Sequence, residues 1–216
     1  FESKLVDHLN NWIRFAMSTH AKNLAFDLAP PSNLLKYGDH YRFPFELLDN
    51  KSISCLACLQ LSFVCFKPPP ADFIGFPNLR KLDLHVVKTT RQDLESVLCI
   101  CVNLEWLSLL RCHLKDEMKV VLRPLSHLRY LHVVHCDITK IEFDAPNLST
   151  FYFNGGQVKL LFGDSVQVKT MGMCCFAPCN TIYNARANLP SIVPNIETLS
   201  ISSVSEVYYK TFDYQI

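Results

Sequence analysis

Glycine is scarce in this chain, six in 216 residues. A backbone with so few Cβ-free positions has little from which to build a loop that closes around a phosphate, and no glycine-rich nucleotide-binding phrase occurs. Gly155-Gly156 is an isolated turn signal. Also missing are a Gly-x-Ser-x-Gly elbow and a His-Glu-x-x-His helix, so neither a hydrolase nucleophile nor a metalloprotease site is marked. The expectation is a chain without catalytic residues, cofactor or metal. An excess of one charge is lacking too: Lys plus Arg number 21 against 20 Asp plus Glu. No cationic field of the kind that binds phosphate backbones follows from that balance, and nucleic acid is not expected as a partner. The most apolar run, Ile53 to Phe66, is too short and too polar to cross a bilayer, so no membrane association is expected. Phe1 to Ala16 lacks the basic flank and unbroken apolar core of a secretory signal, which points to a reducing cytoplasmic or nuclear setting.

Cysteine is plentiful, with ten residues. In a reducing compartment the choice lies between metal ligands and buried thiols. Cys55-x-x-Cys58 has zinc-like spacing, but no second matching pair accompanies it. The neighbouring Leu56 and Leu59 suggest a strand in which Cys55 is a small core residue and Cys58 points outward. Cys99-x-Cys101 and the group Cys174, Cys175 and Cys179 have no partner at useful spacing, and buried thiols are the expected account. Asn50-Lys51-Ser52 and Asn147-Leu148-Ser149 match the glycosylation sequon; Asn147 fits better as a turn residue.

The abundant feature is a phrase. Leu79-x-x-Leu82-x-Leu84, Leu104-x-x-Leu107-x-Leu109 and Leu128-x-x-Leu131-x-Val133 are its clearest copies. Looser ones begin at Leu56, Leu148, Val168 and Ile196. The first anchors are separated by 23, 25, 24, 20, 20 and 28 residues, inside the roughly 20–29 residue period of a leucine-rich repeat. On a short strand the apolar anchors turn to one face and the residues between them to the other. One coil cannot bury its own anchors, whereas stacked coils can, by pairing their strands into a parallel sheet over a shared core. The expected fold is therefore α/β: a leucine-rich repeat solenoid, an irregular horseshoe with a parallel sheet on its concave face. Five positions past the second anchor, where such repeats carry Asn or Cys, stand Cys112 and Cys136, with Val64, Val87 and Gly156 at the same place in other coils.

Ahead of the repeats, Leu5, Leu9, Trp12, Ile13 and Ala16 form one helical stripe with Ser3 as N-cap. Residues 1–20 are expected to be an N-terminal capping helix. Residues 21–216 are expected to be the solenoid, cut short at its C-terminal end. Asn23 to Leu28 suits the first strand, and Phe43 to Leu48 a short helical turn with Pro44 near its start. Two outer connectors read as helices. Thr90 with Asp93 resembles a capping box ahead of Leu94, Val97 and Leu98, and Met118, Val121 and Leu122 form a second stripe before Pro124.

With this register, the outward positions of the three clearest repeats are Lys81, Asp83 and His85; Trp106, Ser108 and Leu110; and Tyr130, His132 and Val134. Thr150, Tyr152 and Asn154 continue them. Trp106 and Tyr130 share a column, and Tyr152 lies one column over beside His132. An aromatic patch of this kind is a typical energetic anchor of a protein interface. Arg111 and His135 fall just past the strands, at the rim.

Val6 to Ala16, Tyr41-Arg42-Phe43-Pro44, Phe76 to Leu84, Cys101 to Leu109 and Ala145 to Phe151 together resemble the plant F-box proteins with a divergent leucine-rich repeat region, many of which carry an FBD-type segment. That resemblance implies a substrate receptor of an SCF-type ubiquitin ligase, with repeats that hold a target protein. Contact with a Skp-type adaptor and cullin would run through an F-box. The residues from Phe1 onward show no F-box, so this chain is expected to contain the target-holding half only. The other reading is a freestanding repeat scaffold that binds a protein or small ligand.

Overall fold

The computed structural model describes residues 3–29, 40–67, 69–70, 72–114, 119–122, 125–143, 145–156, 158–162, 167–175 and 193–203. Helix α1 (Ser3–Ser18) is followed by β1 (Asn23–Asp27), β2 (Tyr41–Arg42), a single 3-10 turn (Phe45–Leu47) and α2 (Asn50–Ile53). Then come β3 (Cys58–Ser62), β4 (Val64–Cys65), β5 (Lys81–His85), α3 (Arg91–Cys99), β6 (Trp106–Leu110) and β7 (Lys119–Leu122). The remaining strands are β8 (Tyr130–Val134), β9 (Lys140–Phe143), β10 (Thr150–Gly155), β11 (Lys159–Phe162), β12 (Thr170–Cys175) and β13 (Thr198–Ser203).

Eight of these strands form one parallel sheet in the order β1-β3-β5-β6-β8-β10-β12-β13. Its register stacks the anchors. Leu59, Leu82, Leu107 and Leu131 make one row and Leu61, Leu84, Leu109 and Val133 the next, all of them buried. The first anchors Leu56, Leu79, Leu104, Leu128 and Leu148 lie beneath them, also buried. Each such leucine contributes about 1.5–3 kcal/mol when removed from water, so the periodic phrase is the principal stabilising element. Leu199 departs from the pattern at 46% exposed. It lies on β13, the last strand in the sheet order, where β12 covers one flank and, among the described residues, no further strand covers the other.

Polar side chains stitch one coil to the next. Asn78 Nδ2 donates to the Ser54 carbonyl, Asn103 to that of Pro77 and Asn147 to that of Ser126, each at 2.6 Å. His127 Nδ1 takes the same place against the Val102 carbonyl at 3.2 Å. Each donor stands immediately before a first-anchor leucine, so the turn carbonyls of one coil are satisfied by the following coil. Asn147, the sequon residue, belongs to this ladder. At the other end of the strands, Phe63, Val86, Arg111 and His135 all take positive φ, between 51° and 59°. That region costs an L-residue roughly 1–2 kcal/mol. Here it turns the chain sharply off the sheet and aims each N–H at the next coil: Val86 donates to the Leu110 carbonyl at 2.8 Å and Arg111 to that of Val134 at 2.7 Å.

Beyond this turn Val64, Val87, Cys112 and Cys136 are all buried. The Cys112 N–H donates to the Cys136 sulfur at 3.4 Å, and the two thiols donate to the Leu84 and Leu109 carbonyls at 3.4 and 3.5 Å. A hydrogen bond to Cys136 and burial push the Cys112 thiol well up. Cys101, which donates to the Val97 carbonyl, is pushed up to about 12 by burial. Cys55 is a correction. It sits exposed in the turn before β3, which begins only at Cys58. The strand starts three residues later than the leucine spacing suggests, because α2 and its following turn occupy the approach.

Helix α1 begins at Ser3 itself and packs on the array through Leu9, Ile13 and Met17, with Val6 and Ala16 partly buried beside them. The expected stripe was rotated: Leu5 and Trp12 lie in solvent, Trp12 at 61% exposed, as does Phe15. Apolar residues on two sides of the helix made either stripe possible, and the packing chose one. Tyr41 Oη donates to Asn10 Oδ1 at 2.6 Å, tying β2 to the helix, and burial pushes this phenol up to about 12. Pro44 precedes the 3-10 turn, and α3 has the expected cap, with Thr90 accepting from the Asp93 N–H and Leu94, Val97 and Leu98 buried. The second expected connector helix is instead strand β7, which joins β9 and β11 in a three-stranded parallel sheet. β-branched Val120 and Val121 favour an extended chain, and pairing with β9 satisfies its backbone. Met118 lies outside the described residues.

Candidate functional site

One face of the eight-stranded sheet rests on the core. On the other face, register sorts the side chains into columns. Lys81, Trp106, Tyr130 and Thr150 are Cα partners in one column, and Asp83, Ser108, His132, Tyr152 and Gly172 in the next. His85, Leu110, Val134 and Asn154 make the third. Neighbouring strands lie about 4.7–4.9 Å apart, close to the stacking distance of aromatic rings. Trp106 and Tyr130 therefore stack at 5.0 Å with an interplanar angle of 6°.

The cluster extends from this pair in both directions. On one side the Lys81 ammonium lies 4.1 Å over the Trp106 ring, a cation–π contact. On the other, Tyr130 meets Tyr152 at 5.9 Å and His132 at 6.3 Å, and His132 meets Tyr152 edge-on at 6.1 Å. Burial lowers the pKa of His132 while nearby Asp83 opposes that shift. Burial likewise raises Tyr130, with Tyr152 and Asp83 adding to it. His85 shares a 3.4 Å hydrogen bond with Ser62 Oγ, and burial lowers it as well. The result is a largely aromatic floor whose imidazoles burial biases toward their neutral forms.

Over residues 1–213 the chain matches the family model described as the At1g61320/AtMIF1 LRR domain. The chain belongs to this LRR-domain family. It is also 26% identical, over 158 residues, to the putative F-box/LRR-repeat protein At5g54820 of Arabidopsis thaliana, a match covering 72% of this chain and 32% of that protein. No solved structure matches it. Membership supports a protein-binding role for the repeats.

Within this LRR domain the expected face residues occupy the positions assigned to them, but they are not equally available. Tyr152 is 37% exposed, while Ser108, a short side chain between longer neighbours, is only 5% exposed. Val134 is buried as well. Trp106 and Tyr130 are both half-buried, stacked on each other with Lys81 over the Trp106 ring, so Tyr152 is the most accessible of the three aromatic anchors. Arg111 leaves the end of β6, exposed, on its left-handed turn. Two contributors were not visible in the leucine pattern. Gly172 underlies Tyr152, where a Cβ would come within 2.5 Å of the ring, so its missing side chain lets the tyrosine lie across β12. Arg129, entering β8 beside Tyr130, is exposed at the opposite rim from Arg111. Among the described residues no group of three or more His, Cys, Asp or Glu could hold a metal ion.

Proposed function

We propose that the open sheet face is the target-binding surface of a substrate receptor of an SCF-type ubiquitin ligase, acting in the cytoplasm or nucleus. The observation that carries the binding part is the continuous cluster of Trp106, Tyr130, His132 and Tyr152 on a face that no described element of the chain covers. Aromatic side chains held rigidly by stacking lose little entropy on binding and supply large contact area, as interface anchors do. The ligase part is supported by the F-box/LRR description of the Arabidopsis relative and by the family resemblance of motifs such as Tyr41-Arg42-Phe43-Pro44, whose Tyr41 hydrogen-bonds Asn10 of α1. Adaptor and cullin contact would belong to an F-box, and the repeats would confer specificity without doing chemistry.

The test has two arms. Co-expression of the complete open reading frame with a Skp-type adaptor should give a complex that survives gel filtration; a complete protein that never associates leaves a freestanding repeat scaffold instead. Proteins captured by the wild-type chain should be lost from a folded Tyr130→Ala/Tyr152→Ala variant. Capture unchanged by that variant would move the site off this face.

A further inference from the structure

We infer that the segment recognised by this face is acidic, an extended peptide whose carboxylates bracket an apolar side chain. This rests on the open-face reading above and adds the chemistry of the partner. The carboxylates on the face are Asp27 on β1 and Asp83 on β5. Lys81, two residues from Asp83 on the same side of β5, carries the opposite charge. From β6 through β12 the open-face positions hold no Asp or Glu.

The rims bordering those strands are different. Arg80 pairs with Glu105 at 2.8 Å and Lys169 with Glu197 at 2.9 Å, so these charges are matched across neighbouring coils. Arg129 and Arg111 are exposed and, among the described residues, enter no ion pair or side-chain hydrogen bond. They stand at opposite ends of the adjacent strands β8 and β6, with the Trp106–Tyr130 stack and Tyr152 between the two rims. Arg129 is level with Glu105, so six residue steps at about 3.3 Å each place the two rims on the order of 20 Å apart. An extended peptide of about six residues covers that span.

Both arginines are permanent cations whose planar donors match a carboxylate in bidentate fashion. His132 and His85 are held toward their neutral forms by burial, so they add little charge to the floor. A basic segment would meet two unpaired guanidinium groups, with the face's carboxylates, Asp27 and Asp83, on β1 and β5 to one side of them. An acidic one would neutralise both while laying an apolar residue on Tyr130 and Tyr152.

Selection of a random peptide library on the full chain tests this. Enriched peptides should be net acidic, and a synthetic copy of the strongest should lose roughly tenfold or more in affinity on an Arg111→Glu/Arg129→Glu variant, with a smaller loss for Arg111→Gln/Arg129→Gln. Its affinity should also fall as salt is added. Because both arginines are exposed, the variants should keep the wild-type circular dichroism spectrum. If the enriched peptides are neutral or basic, or if charge reversal leaves affinity unchanged while Tyr130→Ala/Tyr152→Ala lowers it, the acidic assignment is overturned and the open face stands. If no peptide depends on Tyr130 and Tyr152, both readings fall together.

Discussion

Gly172 offers the sharpest test of how the face is assembled, because one added methyl group there should act through one ring. A Cβ at this position would lie 2.5 Å from Tyr152 Cδ1 and 2.8 Å from Cε1, where ordinary contact needs about 3.5–4.0 Å. The ring must retreat by about 1 Å or swing off the sheet, breaking its contacts with Tyr130 and His132. Such crowding typically costs about 1–3 kcal/mol. Against it, Gly172 lies inside strand β12, where alanine is favoured over glycine by roughly 0.5–1 kcal/mol through lower chain entropy. Gly172→Ala should therefore destabilise the wild type by about 1 kcal/mol. In a Tyr152→Ala background the crowding partner is gone, and the same change should stabilise by roughly 0.5–1 kcal/mol. The difference between backgrounds, on the order of 1–3 kcal/mol, is the coupling of the two sites. Urea unfolding of the four proteins, followed by far-UV circular dichroism, measures it. An equal effect of Gly172→Ala in both backgrounds would show that Tyr152 does not rest on this glycine, and the placement of its ring would have to be abandoned.

Three further outcomes are expected. Leu107→Ala, at a fully buried anchor between β5 and β8, should cost about 2–5 kcal/mol, whereas Leu199→Ala at the half-exposed edge should cost well under about 2 kcal/mol; comparison of urea midpoints checks the contrast, and equal losses would argue against a shared stack. Asn103→Ala removes the donor that satisfies the Pro77 carbonyl and should cost about 1 kcal/mol, read from the same titration. His85 and His132 have folded pKa values below the ordinary 6.5, so the unfolded chain takes up protons first and their contribution to stability, complete above that value, is lost as pH falls through the folded pKa. Melting temperature should drop from about pH 7 to about pH 5, and a His85→Gln/His132→Gln variant should show a flatter profile; a wild type that grows more stable toward acid would contradict the burial of the two rings.

The repeat was readable because its physics is local and periodic. Anchors three and then two residues apart can share a face only on a strand, and a period near 24 residues leaves room for a strand and a return, so Leu82, Leu107 and Leu131 were bound to meet. The open-face columns followed from the same register. Elsewhere the local signal was degenerate. Helix α1 carries apolar residues on two sides, so the choice of Leu9, Ile13 and Met17 over Leu5 and Trp12 depended on what the helix met. Residues 119–122 are compatible with helix or strand, and the presence of β9 beside them settled it as strand. Cys55 lay next to an anchor and still ended in solvent, because α2 delays the strand until Cys58.

The spacing of leucines alone determined that this chain is a stack of parallel strands, and that Trp106, Tyr130, His132 and Tyr152 face away from its core, since side-chain alternation on a strand leaves no other option. Tertiary structure decided which of those side chains remain accessible. Ser108 is hidden by taller neighbours and Trp106 is enclosed between Lys81 and Tyr130, while Tyr152 lies open on a strip of backbone lacking a Cβ. Accessibility depends on the sizes of residues some 20 to 25 positions away, and only the stacking of coils brings those residues side by side.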